Sequence, residues 1–143
     1  MTMAYGSPFS KTNKSLIPDT GGEIQYIVDK LYYFPNKLKF LHHNTTSFSK
    51  HQATSEAYDG TSSLQDEILE KIIGCTGIRY STVNFSPVGL FSEESCYLVA
   101  EEIKEFAKYL KRWAEEYSYL DISQLADSLE GIGAKLKYLL TLS

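Results

Sequence analysis

The sequence predicts an all-α protein that folds as a bundle of four helices. Four stretches of the chain carry apolar residues at the i, i+3, i+4, i+7 spacing of one helix face. Residues that cap helices or form turns lie between these stretches. The length of 143 residues, with 43% hydrophobic and 22% charged residues, fits one globular domain with a full core.

The first helix is predicted from Glu23 to His43. Pro35 lies inside this stretch and is expected to kink or break the helix, because proline lacks an N–H and crowds the preceding turn. On a helical wheel His42 falls in the middle of the apolar face, so it is expected to point inward. That face consists of Ile24, Ile27, Val28, Leu31, Phe34, Leu38 and Leu41.

The second helix is predicted to start near Ser47, within a cluster of capping residues, and to end at Ile73 because Gly74 is placed to stop it. A third helix follows from Glu93 to Tyr117, with a continuous apolar face. Asp121 is predicted to cap a fourth helix. The apolar face of the fourth helix runs from Ile122 to Leu140.

The lengths of the links predict how the helices are connected. Helices one and two, and helices three and four, are joined by short links, which favour antiparallel neighbours. The link over residues 74–91 is much longer than most links in a compact domain. It predicts a long crossover between helices two and three, as in ferritin-like bundles, with those two helices parallel.

Charge and composition exclude several classes of protein. Residues 1–19 have the composition of an extended arm, and residues 20–143 form the predicted bundle domain. The net charge is −4 and the arm contributes few cations, so nucleic-acid binding is not expected. The chain has neither a membrane-length apolar run nor a signal peptide, which predicts a cytoplasmic protein. Cys75 and Cys96 match no metal or redox motif and are expected to be buried free thiols.

One side of the second helix carries a histidine and carboxylates. On a helical wheel His51, Asp59, Asp66 and Glu70 lie together, away from the apolar residues. Imidazole and carboxylate together suit iron, manganese or zinc. Two structural interpretations stay open: this stripe is the solvated side of an amphipathic helix, and His42 is a hydrogen-bonded core histidine.

These residues resemble the metal-binding segment of the Dps proteins, the small ferritin-like proteins of bacteria. The spacing from His51 to Asp66 and Glu70 is the spacing of that segment, and Ser55 stands where the family usually has a further acid. The stretch from Thr45 to Asp59 is also similar to a Dps-like group encoded by tailed phages.

The resemblance implies a site at a dimer interface. His42 and His51 would come from one subunit, with His43 as the rival to His42, and Asp66 and Glu70 from its partner. The family oxidises Fe(II) at such sites inside shells of twelve subunits, so the resemblance implies a homo-oligomer, from dimer to dodecamer, with ferroxidase activity. An intra-bundle di-iron centre is not expected, because the chain contains no Glu-x-x-His.

A second interpretation of the function stays open. The same bundle suits a non-enzymatic phage-type assembly, or a virion-associated protein that contacts other virion proteins and has no working metal site.

Overall fold

Residues 22–142 fold into four helices. The computed structural model describes residues 22–142, and the regular structure in that part is entirely helical: α1 (Glu23–Asn44), α2 (Phe48–Thr76), α3 (Ser95–Glu116) and α4 (Leu120–Leu140). The all-α, four-helix prediction is therefore confirmed for this part of the chain. The predicted arm, residues 1–19, lies outside the described residues. No helix between residues 22 and 142 is long and apolar enough to cross a membrane.

Each helix packs against two others and buries the apolar face predicted for it. α1 and α4 each contact both α2 and α3. The predicted apolar residues of α1 are all buried, and Ala53, Ala57 and Ile68 bury the corresponding face of α2. One hydrophobic core therefore extends between all four helices.

Pro35 does not break α1, so of the two outcomes expected for it, a kink or a break, the break does not occur. The helix continues through Pro35 to Asn44. Because proline has no N–H, the carbonyl of Leu31, one turn earlier, receives no intrahelical hydrogen bond. The side chain of Gln65 on α2 supplies that bond, with its Nε2 3.0 Å from the Leu31 oxygen. A side chain from the neighbouring helix thus replaces the missing backbone donor.

Two predicted helix ends also differ from the structure. α2 continues through Gly74 to Thr76 and is capped by Gly77, which has a left-handed conformation with φ of 72° and donates its N–H to Ile73 O. α4 begins at Leu120, without a side-chain cap, so Asp121 lies in the first turn. It forms an ion pair with Lys71 at 3.3 Å.

The two cysteines have different environments. Cys96 lies in the core, as predicted, and both thiols are free. The prediction that Cys75 is buried is wrong: Cys75 is exposed, because it lies in the last turn of α2, beyond the last fully buried core residue of that helix, Ile72.

The segment between α2 and α3, residues 77–94, lies along α1. The Nε2 of Gln25 donates to Thr82 O at 2.9 Å. The backbone N–H and the side-chain amide of Asn84 donate to the carboxylate of Asp29 at 2.9 and 3.0 Å. Farther along, the ammonium group of Lys37, which is almost completely buried, donates to Val88 O. The segment therefore follows α1 in the direction of its C-terminus.

Candidate functional site

The candidate site is built around the short turn that joins α1 to α2. The hydroxyl of Ser47 accepts a hydrogen bond from Lys50 N at 3.3 Å and caps α2, as the sequence predicts. Thr45 accepts from Ser47 N at 3.1 Å and donates to the Glu93 carboxylate at 2.7 Å. These bonds hold the last residues of α1 and the first residues of α2 at a defined distance from each other.

His42 and His51 lie on either side of this turn and stack on each other. Their ring centroids are 3.8 Å apart, with an interplanar angle of 21°. Each Nδ1 lies 2.9 Å from the backbone carbonyl oxygen of the other histidine. Since a carbonyl oxygen only accepts hydrogen bonds, both Nδ1 atoms carry their proton and donate it. The two rings are thereby held in place by reciprocal hydrogen bonds.

This arrangement determines which nitrogen of each ring is free for other chemistry. In a neutral imidazole with a protonated Nδ1, the lone pair lies on Nε2. Metal-binding histidines commonly donate their second ring nitrogen to a carbonyl or carboxylate, which fixes the tautomer and the orientation of the ring. His42 and His51 both have this feature, and both are partly buried.

The structure distinguishes the positions of the two adjacent histidines of α1. His42 stacks on His51, while the ring of His43 lies 5.4 Å from the ring of His42 and is exposed. The expectation that His42 points inward is met only in part, because its side chain is partly buried, stacked on His51. Lys39, which the sequence analysis did not single out, lies farther along the seam with its Nζ 4.3 Å from the ring centre of Tyr58. Lys39 lies one turn before His42 on the same helix, and this spacing could have identified it from the sequence as a neighbour of His42.

Asp66 and Glu70 do not approach the histidines of the same chain. They follow His51 on α2 by 15 and 19 residues, so at about 1.5 Å per residue they lie roughly 22 and 28 Å farther along the helix. Both side chains are exposed. Over residues 22–142 no group of three or more His, Cys, Asp or Glu residues could hold a metal ion. Within one chain the four candidate ligands therefore lie in two separate pairs.

The acidic residue nearest the turn is Glu93, just before α3. It accepts hydrogen bonds from Thr45 and from Thr46 N, and it forms an ion pair with Lys50 at 3.4 Å. The hydrogen bond from Thr45 holds the pKa of Glu93 below its ordinary value, with smaller contributions from Thr46 and Lys50. Glu93 is thus committed to fixing the start of α3 against the α1–α2 turn.

Comparison with known proteins places the chain in a family without assigning it an activity. No curated protein and no solved structure matches it. The model of DUF5856, described as a family of unknown function, matches residues 42–140. The matched range begins at His42 and includes all four candidate ligands. Because the match covers well over half of the 143 residues, the chain belongs to the DUF5856 family.

Proposed function

We propose that this chain is a Dps-like, ferritin-superfamily protein that binds iron, or a similar ion such as manganese or zinc, at a site shared between two copies. His42 and His51 of one copy and Asp66 and Glu70 of another provide the ligands. The reciprocal hydrogen bonds of the two histidines carry the proposal. They fix both rings and leave each Nε2 as the available donor.

The chemistry of the four side chains fits such an ion. Two neutral imidazole nitrogens and two carboxylates form a mixed nitrogen and oxygen ligand set of the kind that iron, manganese and zinc accept. The carboxylates of Asp66 and Glu70 are exposed, so a second copy can reach them. Bound Fe(II) would be the substrate and would lose one electron to dioxygen or peroxide from solution, while the carboxylates would balance its positive charge and the histidines would hold it at the α1–α2 seam.

The course of the chain also supports a ferritin-like bundle. The 77–94 segment follows α1 from Gln25 towards its C-terminus. It ends at the α1–α2 turn, where Glu93 pairs with Lys50 in the first turn of α2. α2 and α3 would then start at the same end of the bundle and run parallel, which is the connection that a long crossover produces.

The proposal is tested by native mass spectrometry before and after anaerobic addition of Fe(II). We expect oligomers of the wild-type chain to gain one or two metal ions per subunit. Asp66→Ala combined with Glu70→Ala removes exposed carboxylates that form no hydrogen bond or ion pair with residues 22–142, so this variant should fold normally and lose the metal. Glu67→Ala, which removes another exposed acid of α2, is the matched control and should bind metal as the wild type does.

The histidines are tested separately. His51→Ala should abolish metal binding, and His43→Ala should leave it unchanged, because only His42 stacks on His51. A wild-type chain that takes up no metal, or a double carboxylate variant that binds as much metal as the wild type, would show that the proposal is wrong. Absorbance during Fe(II) addition in air then reports whether the bound iron is oxidised.

One observation favours a second candidate function, a helical assembly that works without metal. In the part of the chain that the structure describes, no single copy brings three possible ligands together. A protein of this kind, including a virion-associated one, would form its full assembly in the presence of a chelator. Sedimentation with and without chelator separates the two candidates.

A further inference from the structure

A groove with exposed apolar walls lies between α1 and α3. It has a volume of about 550 Å³ and is lined by the first two turns of α1 and the first half of α3. Tyr26 and Leu98 form its walls, and these residues are 43% and 55% exposed. The ring of Phe106, which is almost completely buried, also lines the groove and lies 6.1 Å from the ring of Tyr26. Apolar surface of this kind is typical of a site that another segment of chain covers.

The rim of the groove is acidic. Glu101, Glu102 and Glu105 of α3 line it, and Lys30 of α1 is the cation among the described lining residues. Glu101 is ion-paired with Lys137 of α4. Glu102 and Glu105 are exposed and form no ion pair with another described residue. Two carboxylates are therefore available to a basic segment that enters the groove.

The groove opens close to the start of α1. The backbone N–H of Tyr26 donates to Gly22 O at 3.0 Å, so Gly22 lies one turn before the groove. Gly22 has a left-handed conformation, with φ of 78°, which glycine adopts without a steric penalty. The chain therefore changes direction at Gly22 instead of extending α1 backwards.

α1 and α3 run antiparallel along the groove. At one end Tyr26 contacts Tyr109, with the ring centroids 4.9 Å apart. At the other end Thr45, just after α1, donates to Glu93, just before α3, at 2.7 Å. A segment that enters beside Tyr26 and follows α1 therefore passes the residues of α3 in reverse order.

The sequence before α1 has the order of side chains that this path requires. Followed backwards from α1, the chain reaches Ile17 and Leu16 first, and Lys14 comes two residues after Leu16. On α3, Phe106 comes first and Glu102 follows after four residues, which is about 6 Å along a helix. Two residues of extended chain span roughly 7 Å. Apolar side chains therefore meet the apolar wall where Lys14 meets an acid.

Charge and length also fit this segment. Residues 1–19 contain two lysines, Lys11 and Lys14, and one aspartate, so their net charge is opposite to that of the rim. Ile17 lies five residues before Gly22, and extended chain of that length reaches roughly 17 Å. One helical turn, about 5.4 Å, separates Gly22 from the entrance to the groove.

We propose that the arm, residues 1–19, turns back at the start of α1 and binds in the α1–α3 groove of its own chain. Leu16 and Ile17 cover the apolar wall, and Lys14 lies between the carboxylates of Glu102 and Glu105. The groove is then an intramolecular binding site whose exposed apolar surface the arm removes from water. The inference is independent of the proposed metal site, which lies at the other end of α1.

Disulfide trapping tests the position of the arm. In a Cys75→Ser background, Lys14→Cys is combined with Glu102→Cys under mild oxidation, and we expect a disulfide within one chain, detected by peptide mass spectrometry. Lys14→Cys with Glu115→Cys is the matched control. Glu115 is exposed on the same helix, nearer the end of α3 that adjoins the start of α1, so an arm outside the groove would reach it as readily. No bond to position 102, equal bonding in both variants, or bonds only between chains would overturn the inference.

The charges are tested by limited chymotrypsin cleavage of the full chain after Leu16. Glu102→Lys combined with Glu105→Lys should speed this cleavage by about fivefold, because exposed ion pairs are lost and the bound arm opens more often. Adding Lys14→Glu to this variant restores opposite charges and should slow the cleavage again.

Glu67→Lys combined with Glu115→Lys is the control for net charge. Both acids are exposed and lie outside the groove, so this variant should be cleaved at the wild-type rate. Equal cleavage in the two pairs of lysine variants, or no slowing by Lys14→Glu, would contradict the proposed contact.

The apolar wall is tested with the same cleavage. Leu98→Ser should speed cleavage after Leu16, because it removes apolar surface that the arm covers. Leu90→Ser is the control, since Leu90 is 93% exposed and lies outside the groove, and it should leave the rate unchanged. Equal rates in the two variants would contradict an arm bound on this wall.

Discussion

At the residue scale, the hydrogen bond from Gln65 to the Leu31 carbonyl shows how one side chain corrects the defect that Pro35 creates. Pro35 leaves the Leu31 carbonyl without its normal intrahelical partner, and this carbonyl belongs to a residue that is only 3% exposed. A buried polar group without a partner costs about 1–3 kcal/mol. Gln65 is the residue that prevents this cost, although its own sequence context on α2 marks it as an ordinary surface glutamine.

Gln65→Ala is therefore expected to lower the free energy of unfolding by about 1–3 kcal/mol, measured by urea denaturation. Gln52→Ala, an exposed glutamine on the same helix, is the control and should change it by no more than about 0.5 kcal/mol. In a Pro35→Ala background the new N–H can donate to Leu31 O, so Gln65→Ala should cost less there. An equal cost in both backgrounds would contradict the role assigned to Gln65.

At the element scale, the end of α2 depends on backbone conformation rather than on the first glycine along the chain. Gly74 is helical, whereas Gly77 adopts the left-handed conformation that terminates the helix. Glycine adopts this conformation without the steric penalty that a Cβ atom brings. α2 therefore ends at Thr76, three residues after the predicted end at Ile73.

The two glycines should respond in opposite directions to alanine. Gly77→Ala should lower the free energy of unfolding by about 1–2 kcal/mol, because it forces a side chain into the left-handed region. A Cβ added to Gly74 meets no atom within 4 Å, so Gly74→Ala should raise the free energy of unfolding by up to about 1 kcal/mol. Thermal unfolding of the two variants would show the opposite shifts, and shifts of the same sign would contradict this assignment.

Glu93 makes the junction of three helices sensitive to pH. Its pKa is lowered in the folded protein, chiefly by the hydrogen bond from Thr45. Its contribution to stability is therefore present above the pKa of the unfolded chain and is lost as the pH falls through the lower folded value. Glu93→Gln should lower the free energy of unfolding at neutral pH, and the difference from the wild type should become smaller in acid. Urea denaturation at a series of pH values from neutral to acid measures this difference. The exposed neighbour Glu94 provides the control: Glu94→Gln should change the free energy of unfolding at neutral pH by no more than about 0.5 kcal/mol.

At the scale of the whole molecule, small residues decide how closely the helices approach. A Cβ at Gly133 would lie 2.7 Å from the Lys104 side chain, 3.0 Å from Ala100 O and 3.2 Å from the Ile103 side chain. The short distance to the backbone oxygen of Ala100 cannot be relieved by rotating a side chain. Gly133 therefore limits how closely α3 and α4 can approach each other. A Cβ added to Gly131, on the same helix, would meet no atom within 4 Å.

Gly133→Ala should lower the free energy of unfolding by about 1–3 kcal/mol, because it overpacks the contact between α3 and α4. Gly131→Ala is the matched control and should raise it by up to about 1 kcal/mol, since alanine favours the helix. Calorimetric melting of both variants measures the difference. Equal melting temperatures would contradict the packing role of Gly133.

Much of this fold is predictable from the sequence because helix formation depends on local periodicity. The apolar face from Ile24 to Leu41 and the Ser47 cap are determined by residues only a few positions apart, and both are found in the structure. The same local reasoning fails at Pro35, because the donor that replaces its N–H lies 30 residues away on α2. It fails at Gly74 because Gly74 and Gly77 are the same residue type, and only the backbone conformation of the folded chain shows that Gly77 ends the helix.

The candidate site shows the same division between local and tertiary information. The number of helices, their apolar faces and the spacing of His51, Asp66 and Glu70 along α2 can be predicted from the sequence, since each is a property of one periodic segment. The stacking of His42, rather than His43, on His51 and the donation through Nδ1 by both rings are seen in the folded structure and not in the sequence. Those contacts depend on how the α1–α2 turn brings two helices together, and no periodicity within one helix encodes that geometry.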